Sequence, residues 1–128
     1  MKKLFFSIAI ISLALTCCGP KEAKWIKIHD DPSLTLYVDH NSITHVSKNI
    51  VRAWVTFSYK QPREFESKRF QRALSHDEID CARRTLQIIQ VVFYFTDGTN
   101  QPLSEKLDSS KIMPETPAEF EYNYLCKQ

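Results

Sequence analysis

Ile50-Val51-Arg52-Ala53-Trp54-Val55-Thr56-Phe57-Ser58-Tyr59 alternates its side chains with a period of two. Val51, Ala53, Val55, Phe57 and Tyr59 fall on one side, and Arg52, Thr56 and Ser58 fall on the other. Successive residues of a strand point to opposite faces, so the stretch predicts a strand with one buried face. Proline has no amide to give to a ladder, and Pro62 is expected to end this strand.

The neighbouring segments continue the sheet. Trp25 to Ile28 reads as a short strand with mixed faces, closed by the turn cluster His29-Asp30-Asp31-Pro32-Ser33. Leu34 to Asp39 reads as a second strand, stopped by His40-Asn41-Ser42. Leu86 to Phe95 is apolar on both faces except at Gln87 and Gln90, which predicts a central strand covered on both sides. Thr96-Asp97-Gly98-Thr99 supplies an Asp-Gly hairpin turn. The returning strand is expected around Leu103 to Leu107, at an edge because Pro102 stands near its start. Arg63 to Asp80 leaves two readings open. Phe70, Ala73 and Leu74 have helical spacing, yet the approach to Cys81 could equally be extended.

At the C-terminus the period changes. Thr116-Pro117-Ala118-Glu119 places an N-cap threonine before proline at the first helical position and glutamate at the third, the pattern of a capping box. Ala118, Tyr122 and Leu125 share one face with Cys126 beside it, while Phe120 and Tyr124 lie opposite. A helix this short needs tertiary packing. The fold class is therefore α+β: a single antiparallel β-sheet of about five to six strands with a C-terminal α-helix packed on it.

The N-terminus reads as an export signal. Lys2 and Lys3 precede the uncharged run Leu4 to Leu15. Spanning a bilayer takes about 20 apolar residues, so the run is too short for a permanent anchor and suits a secretory signal. Leu15-Thr16-Cys17-Cys18 resembles the end of a bacterial lipoprotein signal. Cys18 is then the lipidated residue, with Cys17 as the alternative frame and simple cleavage as the other outcome. Each buried acyl methylene contributes about 0.8 kcal/mol, so a multiply acylated cysteine anchors firmly. Residues 1–18 are thus read as signal ending at the lipidation site, 19–24 as a polar tether and 25–128 as one domain.

The chain carries 17 basic and 15 acidic residues, and Lys2 and Lys3 hold the whole excess. Without the signal the domain is neutral, which argues against a nucleic-acid binder. Cys81 and Cys126 would enter an oxidising compartment and are expected to pair. Closing that loop contributes about 4 kcal/mol on the chain-entropy account. No Cys-x-x-Cys is present and no histidine stands at ligand spacing from either cysteine, so no metal and no cofactor are expected.

Trp25-Ile26-Lys27-Ile28, Leu36-Tyr37-Val38-Asp39 with Ser42-Ile43, and Val51 to Phe57 resemble the opening of the surface-adhesin protein E family. The likeness continues through Lys68-Arg69-Phe70, Asp80-Cys81-Ala82, Phe93-Tyr94, Ile112-Met113-Pro114 and Cys126. This resemblance implies a small lipoprotein domain with an antiparallel sheet and a disulfide-linked C-terminal helix. It also favours a strand leading into Cys81. The implied function is a non-catalytic outer-membrane adhesin for host extracellular-matrix or serum proteins, with homodimers among its members.

The segment most like the family's binding region is the basic stretch Arg63, Lys68, Arg69 and Arg72. Lys68, Arg69 and Arg72 are the partner-binding candidates, suited to acidic patches or sulfated glycans, with Phe65 and Phe70 adding apolar contact. His76-Asp77-Glu78 departs from the family there and dilutes the charge. His29, His40, His45 and His76 stand in turn-like contexts without regular spacing and read as exposed. Trp25, Trp54, Phe57 and Tyr59 read as sheet packing. No phosphate loop, nucleophile elbow or metalloprotease helix occurs, and with only two glycines in the chain no enzyme is expected. A second function fits the same signal and fold: an outer-membrane lipoprotein facing the periplasm as an assembly factor, scaffold or inhibitor.

Overall fold

The computed structural model describes residues 21–128, so the signal, Cys17, Cys18 and the start of the tether lie outside the described residues. Strands β1 (Trp25–Asp30), β2 (Leu34–Asp39), β3 (Thr44–His45), β4 (Ile50–Phe65), β5 (Lys68–Asp80), β6 (Thr85–Phe95), β7 (Asn100–Leu103) and β8 (Ser110–Lys111) precede helix α1 (Pro117–Leu125). All strands join one antiparallel sheet. Its main path runs β1-β2-β4-β5-β6-β7, with β3 added beside β4 and β8 beside β6. The sheet thus has eight strands among the described residues, not five to six. The two extra strands are two-residue pairings, too short to carry any periodicity.

The alternation from Val51 onward does set one face to the inside. Val51, Ala53 and Val55 are at most 2% exposed, as are Leu36 and Val38 on β2 and Ile79 on β5. Helix α1 covers this face, with Leu125 fully buried in the same cluster and Ala118, Phe120, Tyr122 and Tyr124 packed around it. Phe57 and Tyr59 extend the face toward a second cluster of Phe70, Ala73 and Phe95. There Phe65 stacks on Phe93 at 4.3 Å.

Four local expectations are corrected. Pro62 does not end β4, which continues to Phe65. The β4–β5 register is interrupted between Ser58 and Arg63, so the proline stands where no regular ladder bond is required. The returning strand is β7, Asn100–Leu103, and Pro102 lies within it at the sheet edge. β6 is not covered on both sides: all of it but Phe95 is half-buried, because α1 packs on one face only. Finally, the capping box does not close. Thr116 Oγ1 donates to Met113 O at 2.7 Å, and Glu119 Oε1 accepts from the Glu115 amide at 3.4 Å.

Arg63 to Asp80 forms the end of β4, a tight turn and β5. The turn residues Glu66 and Ser67 both have positive φ, 49° and 66°. Two-residue hairpin loops require that conformation and usually recruit glycine or asparagine for it. Cys81 and Cys126 form the expected disulfide, which bolts the end of β5 to the end of α1.

Candidate functional site

The face of the sheet away from α1 is uncovered by any element among the described residues. Paired residues of an antiparallel sheet share a face, so the register lays this surface out row by row. Lys27, Tyr37, Thr56, Leu74, Val92 and Pro102 form one row across the main path of the sheet. The next row carries Ser58, Arg72, Tyr94 and Asn100. On the other side lie Trp54, His76 and Gln90, and beyond them Arg52, Glu78 and Gln87.

These rows enclose a groove of about 320 Å³ lined by Trp25, Tyr37, Thr56, Arg72, Leu74 and Tyr94. Trp25 is 42% exposed. Three aromatic rings, a leucine and a threonine methyl make the walls mostly apolar. The Arg72 guanidinium lies 4.0 Å over the Tyr94 ring, which fixes its plane without neutralising it. Among the described residues no carboxylate pairs with Arg72, whereas Arg52 Nε is bound to Glu78 Oε2 at 2.6 Å. The groove therefore has an aromatic floor and one positively charged wall. Beside it, Trp54 stacks on His76 at 4.6 Å. Burial, then the Arg52 charge, hold the His76 imidazole below its ordinary pKa, with Glu78 opposing.

The basic stretch does not converge on one spot. Lys68 Nζ is engaged by Asp97 Oδ2 at 3.4 Å and Thr99 Oγ1 at 3.2 Å, and lies 5.2 Å over Phe95. Arg63 lies 4.6 Å over Tyr59, a residue of the helix-side face. Arg69 is exposed and pairs across the ladder with Glu64. Only Arg72 borders the groove. An irregularity between Phe70 and Arg72 keeps Phe70 and Ala73 both inside and turns Arg72 outward.

Of the four aromatic residues read as packing, Phe57 and Tyr59 join the helix-side core, and Trp25 and Trp54 face the other way. The parity of the β4 alternation carried that division, since Trp54 and Thr56 share the side of Arg52. Tyr37, Leu74 and Tyr94 had no such marker. Two of the four histidines, His29 and His76, are less exposed than their contexts suggest. His29 is half-buried, stacks on Phe120 at 3.7 Å and meets Asp31 Oδ2 at 2.6 Å. His76 stands in a strand, while His40 and His45 are exposed. The Asp31 carboxyl is held well below its ordinary pKa, first by His29 and then by Ser33. Because Ser33 Oγ donates to Asp31 and not to the imidazole, the group is a turn network and no activated nucleophile. No group of side chains suited to a metal ion occurs among the described residues, and no helix there is long and apolar enough to cross a membrane.

Crystal structures of protein E from Haemophilus influenzae share this fold. Crystal form II aligns with a TM-score of 0.59 at 16% identity, covering 85% of this chain and 94% of that one. The selenomethionine form aligns with a TM-score of 0.57 at 16% identity, over 80% and 85%. Protein E from the non-typeable organism aligns at 0.54 and 16%, over 85% and 81%. No curated protein matches the chain. The profile of the surface-adhesin protein E family matches residues 25–127, which include every strand, the helix and both bridged cysteines. The chain belongs to the surface-adhesin protein E family.

Proposed function

We propose that this protein is an exported, lipid-anchored adhesin that holds a host extracellular-matrix or serum protein on the helix-free face of its sheet, without chemistry. The observation carrying this reading is the groove at Trp25, Tyr37, Leu74 and Tyr94, with an unneutralised Arg72 on its rim, in a domain of an adhesin family. Aromatic residues and arginine are the side chains that dominate binding energy in protein interfaces, and a pre-formed strand surface loses little entropy on docking. Of the three basic candidates, Arg72 takes the central role, Arg69 adds to attraction at longer range, and Lys68 serves the fold of the hairpin tip.

Binding to immobilised extracellular matrix and to serum-coated surfaces tests the face. Arg72→Glu is expected to weaken binding at least about tenfold at low salt, and less as salt screens the charge. Lys68→Glu is expected to change it little, because that ammonium is already spent on Asp97 and Thr99. Equal losses from both would return the contact to the hairpin tip. Topology is tested by protease shaving of intact cells, where the folded domain should be cleaved or released. Survival of the domain until the outer membrane is opened would remove the adhesin reading and leave the periplasm-facing one.

A further inference from the structure

Among the described residues, two acids and no base are fully buried at the helix–sheet interface. Asp77 on β5 and Glu121 on α1 are each 1% exposed. Each carboxyl lies close enough to act on the protonation of the other. Two carboxylates can only accept, so the two can share a hydrogen bond only if a proton is present between them. Asp77 Oδ1 also accepts from Ser75 Oγ, while Glu121 Oε2 has no partner among the described residues. Around them stand Ala53 and Ile88, the cross-strand partners of Asp77, and the apolar residues of α1.

No cation among the described residues compensates the pair. Arg52 and Glu78 lie on the opposite face and bind each other, and His76 is on that face too, against Trp54. On the helix side, Arg84 is held by Glu119 Oε2 at 2.8 Å and by the Tyr122 ring. The Tyr122 hydroxyl reaches Cys81 O, His40 meets the Tyr124 hydroxyl, His29 is committed to Asp31, and Arg63 lies over Tyr59. Each of these groups therefore has a partner of its own. We infer that Asp77 and Glu121 form a buried proton-binding site, and that the shared proton locks helix α1 onto the sheet.

Burial, and for Glu121 the neighbouring Asp77 as well, raise both carboxyls above their ordinary pKa, Glu121 most strongly. The sign follows from linkage. A folded-state pKa above the unfolded value gives stability that is complete below the unfolded carboxylate range. It is lost as pH rises toward and through the folded value. The domain should thus loosen on the alkaline side, where a second negative charge must enter a dry interface. His76 acts the other way, since its lowered pKa penalises protonation as pH falls through the ordinary histidine range. A comparison of variants that share His76 cancels that contribution.

Thermal melts of the full-length, disulfide-intact protein from pH 5 to pH 8.5 test the site. Asp77→Asn/Glu121→Gln replaces the shared proton by a permanent amide hydrogen bond. The Tm of the double variant relative to the parent is expected to rise by at least about 5 °C across that range, as one kcal/mol moves Tm by about 4–8 °C in a domain of this size. Parallel curves would overturn the proposal. If the double variant does not fold, infrared spectroscopy of the parent decides: a protonated-carboxyl band should persist at pH 7 and fade on alkaline titration. Absence of that band at pH 7 would equally overturn it.

Discussion

Replacing both bridged cysteines, Cys81→Ser/Cys126→Ser, is expected to destabilise the domain by about 4 kcal/mol, the chain-entropy value for a loop of this length. The bridge spans a sequence separation of 45 and joins the residue that follows α1 to the residue that follows β5. The helix has few other fixed points. Its N-cap side chain bonds no amide of the helix, and besides the Asp77–Glu121 pair its polar and aromatic ties are the Arg84–Glu119 pair, the His29–Phe120 stack and the Tyr122 and Tyr124 hydroxyls. Nine residues do not make a stable helix in water alone. In the bridged chain the unfolded state is already confined, so reforming the helix against the sheet costs less entropy. Thermal or urea unfolding of the variant checks the figure, with a Tm loss of roughly 15–30 °C expected for a domain of this size. Hydrogen exchange should show the loss concentrated in α1. A loss of only a few degrees would mean that Leu125 and the Asp77–Glu121 contact hold the helix without the bridge.

What the sequence revealed, and what it concealed, divides by physical cause. The alternation from Ile50 to Tyr59 and the apolar run from Leu86 to Phe95 located β4 and β6, because a buried face leaves a periodic trace. The β4–β5 hairpin left none. Its turn is Glu66-Ser67, two residues with positive φ where glycine is the usual marker, and its register is interrupted around Pro62. The capping pattern at Thr116 located the helix correctly even though the cap bonds are made to other atoms. Glu121 was hidden by its charge. A glutamate one turn before Leu125 reads as solvent-facing unless the partner acid on β5 is known, and that pairing is a long-range contact. Likewise Lys68, Arg69 and Arg72 look like one patch in the chain. The bulge before Arg72 and the Asp97 contact of Lys68 separate them in space.

The two faces of the sheet should respond to very different degrees to truncation of a leucine. Leu36→Ala, on the helix-covered face, removes a fully buried side chain at the centre of the core. It is expected to cost about 2–5 kcal/mol, because the lost transfer energy is joined by the energy of the cavity left behind. Leu74→Ala, on the other face, removes a half-buried wall of an open groove. Water or a partner's side chain can fill that space, so the expected cost is under about 1 kcal/mol, in the range of substitutions that leave no closed cavity. Its effect should appear in matrix binding, together with that of Arg72→Glu. Urea unfolding of both variants beside the binding assay separates a face that folds the chain from a face that works for it. If Leu74→Ala proves as costly as Leu36→Ala, the groove is covered in solution. A parent Tm that then rises with protein concentration would identify the cover as a second copy, since association stabilises by mass action. A concentration-independent Tm with a small Leu74 cost leaves the aromatic groove open, as a surface free to dock a partner.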